Sequence, residues 1–387
     1  MICISRSWQV FVLLLHNTLL YINMWLIVLL ILPILSLVYV CWHVWCLLPL
    51  GWIWKTLAMG CMTASFLLLP ASIMRLTDRL PMPVAIGVYE VGTSGIVVLL
   101  YLFMVFLVLD LGRLVHLVPK EVLYSNVWTA GGILALMLCL FVYGNLNYRC
   151  KHRVELHLTT SKKISKPMKL VMMSDMHIGY HNRRMELHRW VDMVNAENPD
   201  LILIAGDIID GSMRPLIEEE MYKEFLQLKA PVYACLGNHE YYSGEPLAQQ
   251  FYKDAGICLL KDSCALVGDL CLIGRDDRSN VSRASMGKLM KLADRTKYCI
   301  LLEHQPYHLE QAEREGADFQ FSGHTHYGQV WPISWITRKL YECAYGAHQR
   351  GNTRYYVSSG MGIWGGKFRI GTRSEYVVAV IEPQNFN

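Results

Sequence analysis

Four times within its first 149 residues the chain turns apolar for about the length of a bilayer crossing: at 24–44 (MWLIVLLILPILSLVYVCWHV), 57–75, 93–112 and 127–147. About 20 residues of helix span a hydrocarbon core of roughly 30 Å, and lipid leaves no partner for an unpaired backbone amide. Each stretch therefore reads as a transmembrane helix, and the four as a bundle. An earlier run, WQVFVLLLHNTLLYI, is short and carries His16 and Asn17. It leaves open whether residues 1–23 form an extra span or precede a start at Met24. A cleaved signal peptide is the rival reading of this end, but no small-residue cleavage site leads into a polar mature sequence, and further spans follow.

Overall 53% of residues are apolar, yet most of the charge lies beyond residue 149. That shift sets the expected domain boundary, with a transmembrane helical domain at 1–149 and a polar domain at 150–387. Arg149, Lys151, Arg153, Lys162, Lys163, Lys166 and Lys169 follow the last span. Dense basic flanks mark the cytoplasmic side, so the expectation is a multi-pass inner (cytoplasmic) membrane protein whose polar domain faces the cytoplasm. Arg113 and Lys120 weigh mildly against that orientation. The lipid bilayer is the one partner this composition names. A net charge of +4, much of it at the membrane flank, calls for no nucleic acid. Of 12 cysteines, seven lie beyond the apolar region, without a C-x-x-C pair. They read as free thiols in a reducing compartment. The oligomeric state is not legible.

In the polar domain short apolar runs alternate with amphipathic segments: MKLVMMSD then MELHRWVDMVNAE, LILIAGD then LIEEEMYKEFLQLK, PVYACLGN then EPLAQQFYKDAG. That rhythm predicts strand and helix units around a buried, mainly parallel sheet. ICLLKD, CALVGD and LCLIGRDD predict antiparallel strands at a sheet edge, and KYCILLEHQP, ADFQFSGHTH, RYYVSSG and EYVVAVIEP add more. The expected architecture is α/β, two mixed sheets between helical layers.

The polar clusters fall where these strands end. SDMH supplies Asp175 and His177, GDIID supplies Asp207 and Asp210, and GNHE supplies Asn238, His239 and Glu240; His304 ends another strand, and His324 and His326 stand in SGHTH. Singly each is more often a capped turn or a structural histidine. Together they are oxygen and imidazole donors suited to Mn, Fe or Zn, placed where α/β folds build sites. One tetrahedral ion would leave three donors unused, whereas two ions sharing a carboxylate use all seven.

In order, D-x-H, G-D-x-x-D, G-N-H-E, H and G-H-x-H resemble the calcineurin-like metallophosphoesterases over roughly 168–330, and the apolar preface resembles the membrane-anchored bacterial branch, akin to transmembrane proteins with a metallophosphoesterase domain. The resemblance implies a four-layer α-β-β-α sandwich and a centre of two divalent ions, Mn favoured. Asp175, His177 and His326 would hold one ion; Asn238, His304 and His324 the other; Asp207 would bridge. His239 would act as acid and charge stabiliser while a metal-bridged hydroxide attacks phosphorus in line. Asp210 and Glu240 would orient these groups. Membrane attachment points to a lipid-linked phosphoester or pyrophosphate such as UDP-2,3-diacylglucosamine, in lipid A synthesis. A phosphodiesterase of soluble nucleotides is the second enzymatic reading, and a non-catalytic membrane sensor or transporter subunit the reading of another class.

Weaker signals remain. Arg275 and Arg278 in GRDDRSN suit either a phosphate clamp or a solvated turn, and Lys367 and Arg369 follow a glycine-rich connection at 358–371 that suits an anion less well than a turn. WPISWITRKLY (331–341) mixes aromatic, aliphatic and basic residues, as a membrane interface or a buried insertion would. His181 and His188 find no ligand slot. Tyr241 and Tyr242 read as packing rather than base-stacking residues.

Overall fold

The computed structural model describes residues 31–384, and contacts group these into two compact units, one of 31–70 with 92–139 and the other of 71–91 with 140–384. The run at 8–22 and the start of the span expected at 24–44 lie outside the described residues.

Among the described residues four apolar helices come first: α1 (Leu32–Leu47), α2 (Trp52–Ile73), α3 (Met82–Leu114) and α4 (Val127–Arg149). Among the described residues three of them, α2 to α4, are long and apolar enough to cross a membrane; α1 is shorter. At 33 residues α3 extends about 50 Å, well beyond a hydrocarbon core. Its first ten residues group with the second unit. Within the first unit Asp110 accepts a hydrogen bond from Tyr39 at 2.7 Å and lies 2.9 Å from His43. A carboxylate among apolar helices needs such partners, because lipid offers none.

The second unit is built on two six-stranded sheets. The first runs β1 (Lys151–Thr160), β12 (Ser374–Pro383), β2 (Met168–Met173), β3 (Leu201–Ala205), β4 (Val232–Cys235), β5 (Cys258–Leu259); the second runs β10 (Gly346–Arg350), β11 (Thr353–Val357), β9 (Phe319–Ser322), β8 (Tyr298–Leu302), β7 (Leu270–Gly274), β6 (Ser263–Val267). Helix α5 (Arg184–Ala196), the short α6 (Arg214–Glu218) and α7 (Tyr222–Phe225), then α8 (Asn238–Ser243) and α9 (Glu245–Asp254) follow successive strands of the first sheet; α10 (Met286–Met290), α11 (Leu309–Glu315) and α12 (Ile333–Leu340) belong to the second half.

Alternation along the strands separates three cores. Val171, Ile202 and Ile204 pack on Leu187, Trp190 and Phe251 of the helices, while Leu170, Met172 and Leu203 turn the other way and meet Leu272, Ile300 and Phe319 of the second sheet. Ile273 and Leu301 pack outward on Leu289 and Leu309. These are the four layers of an α-β-β-α sandwich. Strands buried on both faces give the near-continuous apolar runs seen in the sequence.

The structure differs from the sequence reading at two strands. ICLLKD supplies β5, which pairs parallel with β4 rather than antiparallel, because α9 carries the chain back across the sheet before it. The basic stretch after α4 begins as β1, parallel to β12, and Arg153, Lys162, Lys166 and Lys169 form ion pairs with Glu197, Asp318, Asp200 and Glu197 of the same unit.

Candidate metal centre

Strands β2, β3, β4, β8 and β9 all end toward one place, and their loops bring the seven expected donors together. Asp175, His177 and His326 place one ligand atom each within 4.8 Å of one another, and so do Asp207, His304 and His324. The two groups adjoin through Asp207, whose Oδ2 lies 3.1 Å from His304 Nε2 and 3.6 Å from His177 Nε2. Asn238 Oδ1 lies 2.9 Å from His324 Nδ1. Asp175 and His177 are fully buried.

Several donor atoms are held for something other than protein. His304 Nδ1 donates to the Ala205 carbonyl at 2.7 Å, which turns Nε2 toward the Asp207 carboxylate, 3.1 Å away. His177 Nε2 and His326 Nε2 face each other at 3.0 Å. A ring whose outer N–H is tied to a carbonyl while its inner nitrogen meets carboxylates and other imidazoles is the arrangement a cation requires. The donor set fits two divalent ions.

Charge tells the same story. Burial alone would lower His177, but the Asp175, Asp210 and Asp207 carboxylates outweigh it and raise the ring to about 10. Burial would raise the Asp175 and Asp207 carboxyls, yet the surrounding imidazoles hold both below the usual range. His324, buried beside His304, is pushed down to about 4. Clustered acids thus retain protons on His177 and His304 at a place suited to positive charge, while His324 and His326 are held neutral.

The backbone is bent to make this possible. Asp175, His177, Asp207, His324 and His326 all have φ between 46° and 71°, a region each side chain other than glycine enters at a cost of about 1–3 kcal/mol. Buried hydrogen bonds impose the conformation. Glu240, fully buried, accepts from the amides of Asp207 at 3.0 Å, Ile209 at 3.0 Å and Gly237 at 2.7 Å. Asp175 accepts from the His324 amide at 3.0 Å, and Asp207 from the His239 amide at 2.9 Å. Gly237 and Gly323 allow close approach, since a Cβ on either would overlap the Asp207 or the Asp175 carboxylate.

His239 stands at the rim, partly exposed. Its Nδ1 lies 3.1 Å from Asp210 Oδ1 and its ring 4.5 Å from that of His177, with exposed Tyr242 5.3 Å away on another side. Asp210 forms no part of the two donor groups but joins a third with His177 and His239. Its other oxygen accepts from Tyr89 at 2.5 Å, and the Tyr89 ring stacks on His181 at 5.2 Å. His181 is buried, with Nε2 on the Ile363 carbonyl at 2.7 Å, and burial pushes it down to about 4.

Tyr89 was not legible as a site residue, for it lies in an apolar segment 121 positions away from Asp210. Asp78, between α2 and α3, likewise accepts from Tyr180 at 2.5 Å and Ser212 at 3.0 Å. Arg369 donates to the carbonyls of His326 at 2.7 Å, Ser359 and Gly362, tying the glycine-rich loop to the site rather than presenting charge to an anion. Arg275 is similarly committed to Glu303 at 3.1 Å, so it clamps no phosphate; Arg278 lies over the Tyr307 ring at 4.2 Å. Lys367 pairs with Glu186 at 3.2 Å and His188 with Glu224 at 2.8 Å. Tyr241 donates to Asp276 at 2.7 Å.

A two-sheet sandwich whose strand ends gather two adjoining Asp, Asn and His groups defines the class of binuclear metallohydrolases. Residues 168–328 match the family described as calcineurin-like phosphoesterase, and the chain carries a calcineurin-like metallophosphoesterase domain. It is 30% identical over 229 residues to an uncharacterized metallophosphoesterase of Helicobacter pylori, an alignment covering 58% of this chain and 62% of that one. A second relative, an uncharacterized metallophosphoesterase of Aquifex aeolicus, is 28% identical over 59% of this chain and 92% of its own. A third, the transmembrane protein with metallophosphoesterase domain of Danio rerio, is 29% identical over 74% of this chain and 72% of its own. The 74% of this chain that it covers exceeds what residues 150–387 hold, so the alignment reaches into the apolar helices. The chain spans about three fifths of the length of the Helicobacter relative.

Proposed function

We propose that the chain is a membrane-anchored, two-metal phosphoester hydrolase. The observation that carries this reading is the pair of donor groups meeting at Asp207, whose Oδ2 faces ring nitrogens of both, His304 at 3.1 Å and His177 at 3.6 Å. Asp175, His177 and His326 would hold one divalent ion, Asn238, His304 and His324 the other, and Asp207 both. Bound there, the ions supply positive charge for phosphoryl oxygens and acidify water at neutral pH.

The protein's own groups do the rest. Asp210 Oδ1, 3.1 Å from His239 Nδ1, orients the partly exposed ring, so a proton held on His239 would stabilise charge on a phosphoryl oxygen and pass to the departing alkoxide. Three apolar helices in the same chain favour a substrate resident in the membrane, a lipid-linked phosphoester or pyrophosphate such as UDP-2,3-diacylglucosamine. The basic residues around the end of α4 favour a cytoplasmic position for the domain.

Metal analysis and turnover of detergent-purified protein test the reading, with bis-p-nitrophenyl phosphate and UDP-linked lipids as substrates and Mn supplied. Asp207→Ala should lose metal. His239→Ala should keep two ions while turnover falls by about 10²–10⁴. Two ions retained in Asp207→Ala would remove the bridging role, and a wild-type protein that binds Mn but hydrolyses neither substrate would favour the binding-only alternative.

A further inference from the structure

Helix α12 is inside out for a water-soluble domain. Ser334 and Thr337 face the protein and are buried, while Trp335, Ile336 and Leu340 are 57%, 54% and 65% exposed. Thr337 Oγ1 turns back to its own helix, on the Ile333 carbonyl at 3.1 Å, and Gly328 lets the backbone at Ser334 come close beneath. The apolar side chains are therefore free to face outward as one stripe. Arg338 and Lys339 in the last turn are both exposed, Arg338 over the Tyr327 ring at 5.5 Å. A Trp and branched aliphatics beside Arg and Lys is the composition of a helix lying at the headgroup level, its apolar side in acyl chains and its cations toward lipid phosphates.

The contacts leading to α12 run from a candidate span. In the last turns of α4, Phe141 packs on Phe368 at 4.7 Å and Gly144 lies against Phe368 and Ile370. Ile370 in turn pairs with Val330 and accepts from the Trp331 amide at 2.7 Å, and Trp331 meets Trp335 edge-on at 5.3 Å. The residues that bring a membrane-crossing helix to the sandwich thus also carry the start of α12. At its other end Tyr341 lies 6.3 Å from the His324 ring.

We propose that α12 is an interfacial helix, seated with Trp335, Ile336 and Leu340 in the lipid of the bilayer that the chain's own spans occupy, so that the rim of the metal centre opens at the membrane surface. The occupant is lipid. The outward stripe carries basic residues that match anionic headgroups, and it is continuous through Trp331 and Ile370 with the membrane-crossing helix α4.

The test uses the full chain in vesicles of phosphatidylethanolamine and phosphatidylglycerol, with the photoreactive p-benzoylphenylalanine replacing Ile336, Leu340 or, as a control, Leu266. Leu266 is 62% exposed on β6, at the opposite edge of the second sheet from β10, so it reports unspecific labelling. After irradiation, mass spectrometry should find roughly tenfold more lipid adduct at 336 and 340 than at 266, as expected for a helix buried about 5–10 Å into the headgroup boundary. Equal lipid labelling at the three positions would overturn the proposal. A covalent dimer through 336 in place of lipid adducts would overturn it too, by showing a second copy on this face. Neither readout needs turnover, so the result stands apart from the hydrolysis reading.

Discussion

Asp210 has more neighbours than any orienting carboxylate needs for one task. One oxygen faces His239 Nδ1 at 3.1 Å and the other accepts from Tyr89 at 2.5 Å. Fixed from both sides, the carboxylate keeps the His239 ring in one orientation. Tyr89→Phe removes one support without touching a donor atom of either metal group. Metal content should stay at wild-type level, while kcat on bis-p-nitrophenyl phosphate falls by about 10–10² with KM little changed, the loss expected from a hydrogen bond to a charged group worth about 1.5–3 kcal/mol. A fall in bound metal would place Tyr89 in metal retention instead.

At the scale of elements, the loop from β11 to β12 depends on one side chain. Arg369 is fully buried, and burial pushes its guanidinium down to about 10 while it donates to three backbone carbonyls and to Ser374 at 3.2 Å. Lysine cannot present that fork. Arg369→Lys should cost about 3 kcal/mol or more, since buried carbonyls lose partners, and should weaken metal retention through His326; thermal unfolding with and without Mn reads both. The sequence disclosed the strand-end motifs because a motif is local: Asp175 and His177, Asn238 and His239, and His324 and His326 are each close neighbours along one loop. It did not disclose Arg369, Tyr89 or Asp78, whose partners are set by the way distant segments fold together. The strand at 151–160 was hidden for another reason, as its basic residues satisfy both a membrane flank and an ion-paired sheet edge.

For the whole molecule, contacts group residues 71–91 and 140–149 with the two-sheet unit. Residues 71–91 contribute Asp78 and Tyr89, and residues 140–149 contribute Asn147, which donates to the Arg369 and Thr372 carbonyls at 2.8 Å, and Tyr148, which donates to Asn182 at 2.6 Å. A chain beginning at residue 150 loses all of these. It should unfold at a lower temperature than the full chain and turn over bis-p-nitrophenyl phosphate more slowly, even though every donor in the two metal groups is retained; equal stability and rate would show the upstream segments to be dispensable. Protons provide a second test. His177, raised to about 10, keeps its proton across neutral pH in the metal-free protein. That proton stabilises the metal-free fold fully below about pH 6.5, the ordinary histidine value, and the contribution is lost as pH rises toward 10. Under the proposed two-metal reading a divalent ion displaces that proton, so titration with Mn near pH 8 in buffers of different ionisation enthalpy should show net proton release. No buffer dependence would mean that His177 is not a ligand.

Five donor residues in left-handed backbone also bear on what mutation would do over generations. A lineage that no longer used metal would gain stability by relaxing those positions, glycine or asparagine being cheaper there than histidine. Drift would erase the pattern one loop at a time. Histidine at three of the five is a standing cost, and under the two-metal reading a bound ion repays it.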